Sequence, residues 1–236
     1  MTTNDILGLI FSYVYAFGLL FIVEAIGKKL GWPLSITRKI THIGAGMWVW
    51  GILALFDHWY FGIIPFATFI LLNYIFYRQQ SFEAMDSEES SPGTIYFAVS
   101  ITILMVLLWR TGGALDRAPV AVAAIMAMTW GDALASLVGE TWGKRTYTVF
   151  GHTRTLEGSA AMALSTFIVA LLVLLFLPGS QLSPHSIPLT MPAALLAALV
   201  ATFTATGAEA ISPAGSDNLS VPLLTGAALY LLIVVT

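Results

Sequence analysis

The chain has 236 residues, of which 58% are hydrophobic and 10% charged, with no cysteine and a formal net charge of -3. Disulfides, thiolate metal sites and a cysteine nucleophile are therefore excluded, and so small a charge gives no argument for nucleic-acid binding. The charged share is less than half of the roughly 25% usual in soluble domains, so water is not the main solvent for this chain.

Apolar runs recur from end to end. A membrane-spanning helix needs roughly 20 mostly apolar residues, and eight such segments are predicted: 6–26, 40–56, 59–77, 94–109, 118–138, 157–177, 190–210 and 219–235. The first follows MTTNDILGLIF, which lacks a basic n-region and a small-residue cleavage site, so it reads as a retained span and not as a signal peptide. No long hydrophilic block interrupts the series. The fold expected is an all-α, polytopic helical bundle in which residues 1–236 form a single transmembrane catalytic domain. Trp48, Trp50, Trp59, Trp109 and Trp130 fall mostly near predicted span ends, as interfacial aromatics do.

Basic residues set the expected orientation, because positively charged loops stay cytoplasmic. With the N-terminus outside, Lys28, Lys29, Arg38, Lys39, Arg78, Lys144, Arg145 and Arg154 fall on the inner side, and only Arg110 and Arg117 on the outer. The acidic stretch SFEAMDSEESS at 81–91 is expected to be a mobile inner loop.

Ionisable groups at membrane depth are costly and usually face a protein interior or a watery cavity, and here they gather in clusters that all open to the inner side. TRKITHIGAG (37–46) enters the second span with Arg38, Lys39 and, one turn on, His42. Arg offers a fork and Lys a point charge to phosphate oxygens. In TWGDALASLVGETWGKRTYTVFGHTRTLEGSAA (129–161), Asp132 lies inside an otherwise apolar helix and calls for a metal or a cationic partner. Gly139, Gly143 and Gly151 flank Lys144, Arg145 and His152, after which Arg154, Thr155, Glu157, Gly158 and Ser159 open the sixth span. A glycine-rich loop of this kind, leading into a helix N-terminus, suits phosphate. It is not a Walker A sequence, since the glycine spacing and the residue after the lysine are wrong. For Glu157 the alternative is an acid favoured by the helix dipole.

In ATGAEAISPAGSDNLSVPL (205–223), Glu209 ends the seventh span, and Asp217 and Asn218 precede the eighth. Oxygen ligands of this sort suit Mg²⁺, which takes one or two carboxylates plus phosphates, while an N-cap of the last helix is the alternative for Asp217. SPGTIYF (91–97) reads as a helix start with an interfacial tyrosine. Glu24 lies one turn before Lys28 and is explained by a local ion pair. Cations, intramembrane acids and glycine-rich backbone on one face fit phosphoryl or nucleotidyl transfer to a lipid, with the soluble nucleotide arriving from the cytosol.

Three ordered motifs, TRKITHIGAG, GDALASLVGETWGK followed by TRTLEGSAA, and EAISPAGSDNLSVPL, resemble the CTP-dependent polyprenol kinase family over residues 37 to 223. That family includes phytol, dolichol and CTP-dependent diacylglycerol kinases and is distantly similar to phosphatidate cytidylyltransferases. The short chain is most similar to the phytol kinase branch. The resemblance implies CTP as donor, Mg²⁺, and a lipid alcohol such as phytol, a polyprenol or diacylglycerol, drawn from the bilayer, as acceptor. It implies a metal site built from Asp132 with Glu209 or Asp217. Nucleotide phosphates would meet Arg38, Lys39, Gly143, Lys144, Arg154, Thr155, Gly158 and Asn218, and the catalytic candidates are Asp132, His42, Glu157 and Lys144. Whether His42 or a carboxylate accepts the alcohol proton stays open. A cytidylyltransferase and an ion-coupled transporter are the rival readings.

Overall fold

A computed structural model describes residues 1–79, 92–111, 116–213 and 215–235. The elements in chain order are α1 (Thr3–Leu30), α2 (Leu34–Leu55), α3 (Trp59–Gln79), α4 (Gly93–Leu108), α5 (Ala118–Met126), a π-helical turn (Ala127–Asp132), α6 (Ala133–Trp142), β1 (Thr146–Val149), β2 (His152–Thr155), α7 (Leu156–Phe176), α8 (Met191–Ile211) and α9 (Asp217–Val235). Because α5, the π turn and α6 run on as one rod, the described residues form eight helical rods, one over each apolar segment, though not all have the length of a membrane span. Five of them are long and apolar enough to cross a membrane: Thr3–Leu30, Trp59–Gln79, Ala118–Trp142, Leu156–Phe176 and Met191–Ile211. Gly93–Leu108 and Asp217–Ile233 are apolar but shorter, and α2 carries Arg38, Lys39 and His42 in its first turns. The 81–91 segment lies outside the described residues.

Helix boundaries follow local chemistry. The Thr2 side chain accepts from the Asp5 amide while the Asp5 carboxylate accepts from the Thr2 amide, a capping box that starts α1. Pro33 precedes α2 and Pro119 sits in the first turn of α5, where a missing N–H costs nothing. Thr190 caps α8 through the Ala193 amide.

The burial pattern is that of a bundle in an apolar solvent. Every residue of α5 is buried, the state of a helix that is hydrophobic all round and enclosed by others. Around it pack α2, α4, α7 and α9. The outer surface is apolar instead: Val14, Phe21, Leu71, Leu107, Leu164, Phe203 and Leu231 are all exposed, a display that soluble monomers avoid. The interfacial reading of the tryptophans fails for two of them. Trp109 is fully buried, packed where a side chain at Gly62 would otherwise sit, and Trp48 stacks on Tyr15 inside the bundle with ring centroids 4.3 Å apart.

Polar contacts separate into two ends. At one, Asp5 accepts from the amides of Asp57 and His58 and pairs with His58 Nδ1 at 2.8 Å, while Thr111 contacts Trp59 and Asp57. There Ser183 donates to Asp116, and the Arg110 guanidinium lies 3.9 Å from the Trp59 ring centroid. At the other end lie the clusters singled out in the sequence. Glu24 and Lys28 form the expected local pair at 2.9 Å.

Candidate active site

Lys39 and His42 rise from the first turns of α2 and meet Asp132, which closes the π turn. Lys39 Nζ is 3.0 Å from Asp132 Oδ2, and His42 Nε2 is 3.9 Å from the same oxygen and 3.3 Å from the Met128 carbonyl. The approach depends on small residues. A Cβ on Gly46 would run into the Thr129 side chain of the π turn, and one on Gly131 would lie 2.6 Å from Met162 Sδ and 2.7 Å from Thr166 Oγ1. Glycines here let α2 and α7 close on the turn from both sides. A π turn removes carbonyls from the α-helical ladder and often marks a functional position, and the Met128 carbonyl within it is the one that His42 reaches. Asp132 lies ten residues before the end of α6, roughly 15 Å along the axis. The expected cationic partner of Asp132 is thus Lys39.

From the opposite side Arg154, on β2, reaches α8 and α9. Its Nε is 2.7 Å from Glu209 Oε1, without the alignment of a hydrogen bond, its Nη2 donates to the Ser212 carbonyl at 3.1 Å, and Asp217 Oδ2 is 3.8 Å away. Asn218 donates to the Gly93 carbonyl, tying α9 to the start of α4. Two buried oxygens at this junction, Glu209 Oε2 and Asn218 Oδ1, have no hydrogen-bond partner among the described residues. Each is an acceptor that burial makes costly to leave unsatisfied.

These groups border two cavities that share a wall. One, of about 310 Å³, is lined by α1 to α4, with Leu19, Leu20, Phe66, Phe69 and Phe97 along its length and Arg38, Lys39, His42, Asp132 and Asn218 at one end. The other, of about 360 Å³, is lined by Ser136, Glu140, Thr153, Arg154, Thr155, Gly158, Ser159 and Glu209. Lys39, Asp132, Gly215 and Asp217 line both. An apolar chamber and a polar one therefore meet at a lysine and two carboxylates.

Several sequence expectations take a different form. The stretch after α6 is a β-hairpin and not an open glycine-rich loop: β1 pairs antiparallel with β2, Thr146 opposite Thr155. Its two-residue turn places Phe150 and Gly151 at φ 48° and 83°, the left-handed geometry of tight hairpin turns. Gly143, Lys144 and Glu157 line neither cavity. Glu157 Oε2 instead accepts from the amides of Lys144 and Arg145 at 3.2 Å each, fastening the hairpin to α7. A Cβ on Gly143 would strike the Gly139 carbonyl and the Thr155 side chain, so this glycine serves packing. Gly158 does line the polar cavity, but a Cβ there would come within 2.8 Å of the Ala135 carbonyl, so this glycine also lets α6 and α7 pack closely. Thr155 caps α7 through the Gly158 amide. Asp132, Glu209 and Asp217 do not form a preassembled metal cage: among the described residues no three acidic or imidazole groups stand close enough to hold an ion by themselves.

Other lining residues escaped the sequence reading. Asn73 is buried and donates to the Thr94 carbonyl, and Gly93, Thr94 and Phe97 border the apolar cavity, with the Phe97 ring edge-on to His42 at 4.8 Å. The helix-start segment 91–97 carried the available signal, its Pro-Gly pair beside an aromatic. Ser136 and Glu140 follow Asp132 at the i+4 and i+8 spacing of one helix face.

Comparison with known proteins bears on what this arrangement is for. The phytol kinase of Synechocystis is 33% identical over 193 residues, covering 81% of this chain and 76% of that protein. The chain belongs to the phytol kinase family. Relatives in this family include the probable chloroplastic phytol kinase of Triticum aestivum, 25% identical over 230 residues (92% of this chain, 74% of that protein), and the chloroplastic farnesol kinase of Arabidopsis thaliana, 24% identical over 180 residues (71% and 56%). No family model matches the chain, and no solved structure does.

Proposed function

We propose that this protein is a multi-pass membrane enzyme that transfers the γ-phosphoryl group of CTP to the hydroxyl of a long-chain isoprenoid alcohol, releasing CDP. The observation that carries the reading is the pair of cavities with a common wall of Lys39, Asp132 and Asp217. A chain among α1 to α4 and a nucleotide against the hairpin would bring their reacting groups together at that wall. The relatives named phytol kinase and farnesol kinase supply the acceptor class. Five basic residues, Lys28, Lys29, Arg78, Lys144 and Arg145, belong to the end of the bundle that holds the site, with Arg110 and Arg117 at the other. This supports eight spans with the N-terminus outside and the nucleotide cavity open to the cytosol.

In the reaction the alcohol oxygen attacks the γ-phosphorus, the bond from that phosphorus to the β–γ bridging oxygen breaks, and the alcohol proton leaves for a base. Such transfers are catalysed mostly by positioning and charge neutralisation. Lys39 and Arg38 face the shared wall from the acceptor side and neutralise the moving group, while Arg154 holds the donor phosphates. His42 Nε2 faces two acceptors, the Met128 carbonyl and Asp132, so in the neutral ring Nε2 keeps the proton. Nδ1 then carries the lone pair able to receive the alcohol proton. Asp132 or Asp217, with Glu209 Oε2 and Asn218 Oδ1 left without a partner among the described residues, would supply the one or two protein oxygens of an Mg²⁺ site completed by substrate phosphates. When bound, that ion supplies charge compensation on the donor phosphates. Towards the rim of the polar cavity Glu140 accepts from Ser136 at 2.7 Å. A carboxylate there complements the exocyclic amine of cytosine, a group uracil lacks.

The test is an assay of purified protein in detergent with γ-labelled CTP, Mg²⁺, and phytol, farnesol, diacylglycerol or phosphatidate. Label in an isoprenyl monophosphate is the expected outcome. Label lost as pyrophosphate with phosphatidate alone would make the protein a cytidylyltransferase, and no transfer from CTP, UTP or ATP would reject the enzyme reading.

A further inference from the structure

Building on the acceptor assignment above, we propose that the Trp48–Tyr15 pair is the stop that limits the length of the isoprenoid chain. The residues lining the apolar cavity on α2 descend in order, Lys39, His42, Ala45 and Trp48. The nine steps from Lys39 to Trp48 correspond to about 14 Å of helix. On α1 the lining runs the same way, from Leu20 through Ala16 and Tyr15 to Ser12. The chamber is thus a slot whose polar mouth lies at Lys39, His42 and Asp132 and whose far end lies at Ser12, Tyr15 and Trp48. Each isoprene unit adds four carbon–carbon bonds, about 5 Å when extended at about 1.5 Å per bond. With its hydroxyl at the mouth, a chain covers the distance to the rings with about three units, its fourth unit lies against the aromatic pair, and a fifth has no room.

That far end is built to stay closed. Trp48 stacks on Tyr15 at an interplanar angle of 18°, and its indole N–H donates to Ser12 Oγ at 3.0 Å. Ser12 in turn donates to the Gly8 carbonyl at 2.7 Å, and the Tyr15 hydroxyl donates to the Gly44 carbonyl at 2.8 Å. Both rings are fixed by polar contacts that an apolar ligand cannot replace. Beyond the indole lies Gly51: a Cβ placed there would sit 2.6 Å from the Trp48 ring. Removing the indole therefore opens space alongside a residue that has no side chain, about one helical turn further on, which is room for about one more isoprene unit.

The experiment compares kcat/KM for farnesol, geranylgeraniol and a five-unit prenol in the full chain, in Trp48→Ala and in Ala45→Phe, with CTP as donor. Ala45 lines the slot one turn above Trp48, so a phenylalanine there shortens it. Trp48→Ala is expected to raise the ratio of five-unit prenol to farnesol by about tenfold or more, the discrimination typical of added methylenes in an apolar pocket. Ala45→Phe is expected to lower the ratio for geranylgeraniol over farnesol. The opposite signs separate a length stop from general damage to the fold, which would lower every acceptor together. Unchanged ratios in both variants, with farnesol still phosphorylated, would overturn the stop and leave the kinase reading intact. A wild-type protein that phosphorylates no prenol would overturn both.

Discussion

Replacing Asp132 by asparagine tests the shared wall most severely. The Asp132 side chain is 10% exposed and its partner Lys39 20%, at 3.0 Å. Removing one member of a buried ion pair leaves an uncompensated charge and costs about 3–5 kcal/mol. The partial exposure of Lys39 puts Asp132→Asn at the lower end, about 3 kcal/mol. Loss of one preorganised electrostatic group costs about 10²–10³ in turnover, and more where the group also holds the metal. The two losses are separable. Asp132→Asn combined with Lys39→Met removes both charges, so its thermal unfolding in detergent should return towards wild type, while γ-phosphoryl transfer stays abolished. Asp132→Asn with kcat/KM within a fewfold of wild type would show that the carboxylate only neutralises Lys39, and would remove it from the chemistry.

Glu157 lies outside both cavities, so Glu157→Gln should keep turnover within about tenfold of wild type and melt slightly lower as its amide contacts weaken; a loss of a thousandfold would return Glu157 to the catalytic set. Gly131→Ala forces a methyl against Met162 and Thr166 and should destabilise by about 1–3 kcal/mol, with turnover falling because Asp132 is the next residue; a neutral effect on melting would mean that α7 yields there. At the opposite end, hydrogen bonds from the Thr2 hydroxyl and then the Asn4 amide hold the exposed Asp57 carboxyl below its ordinary value. A carboxyl lowered on folding contributes stability above its unfolded pKa and loses it as pH falls through the folded one. Asp57→Ala should therefore flatten the wild-type decline in melting temperature between about pH 5 and about pH 3, and an identical slope in the two proteins would contradict the contact.

Composition and periodicity made the helical rods legible, because an apolar run long enough for a helix has few alternatives in a chain so poor in charge. The ionisable residues inside those runs were legible for the same reason, and the pairing of Asp132 with a cation follows from its burial. The β-hairpin was not. Strands of four residues give too little alternation to read, and the glycines that suggested a phosphate loop mark a tight turn at Gly151 and close helix contacts at Gly143 and Gly158. Lys144 and Glu157 stood near the right residues in sequence, yet the hairpin turns them away from the cavities. The π turn was equally hidden, since nothing in AMTWGD distinguishes it from α-helix. The division into an apolar and a polar chamber depends on which faces of distant helices meet, so the places of Asn73, Thr94 and Trp48 in the cavity wall became visible only with the fold.

The proposed meeting of the two chambers for phosphoryl transfer can be followed by its product. The most direct measurement is the fate of γ-label when the purified protein, Mg²⁺ and CTP are given a prenol. Label is expected in the isoprenyl monophosphate, with CDP released in equal amount, and its transfer is expected to be abolished by Asp132→Asn. Label that stays in CTP for every alcohol, in protein shown to be folded, would contradict it.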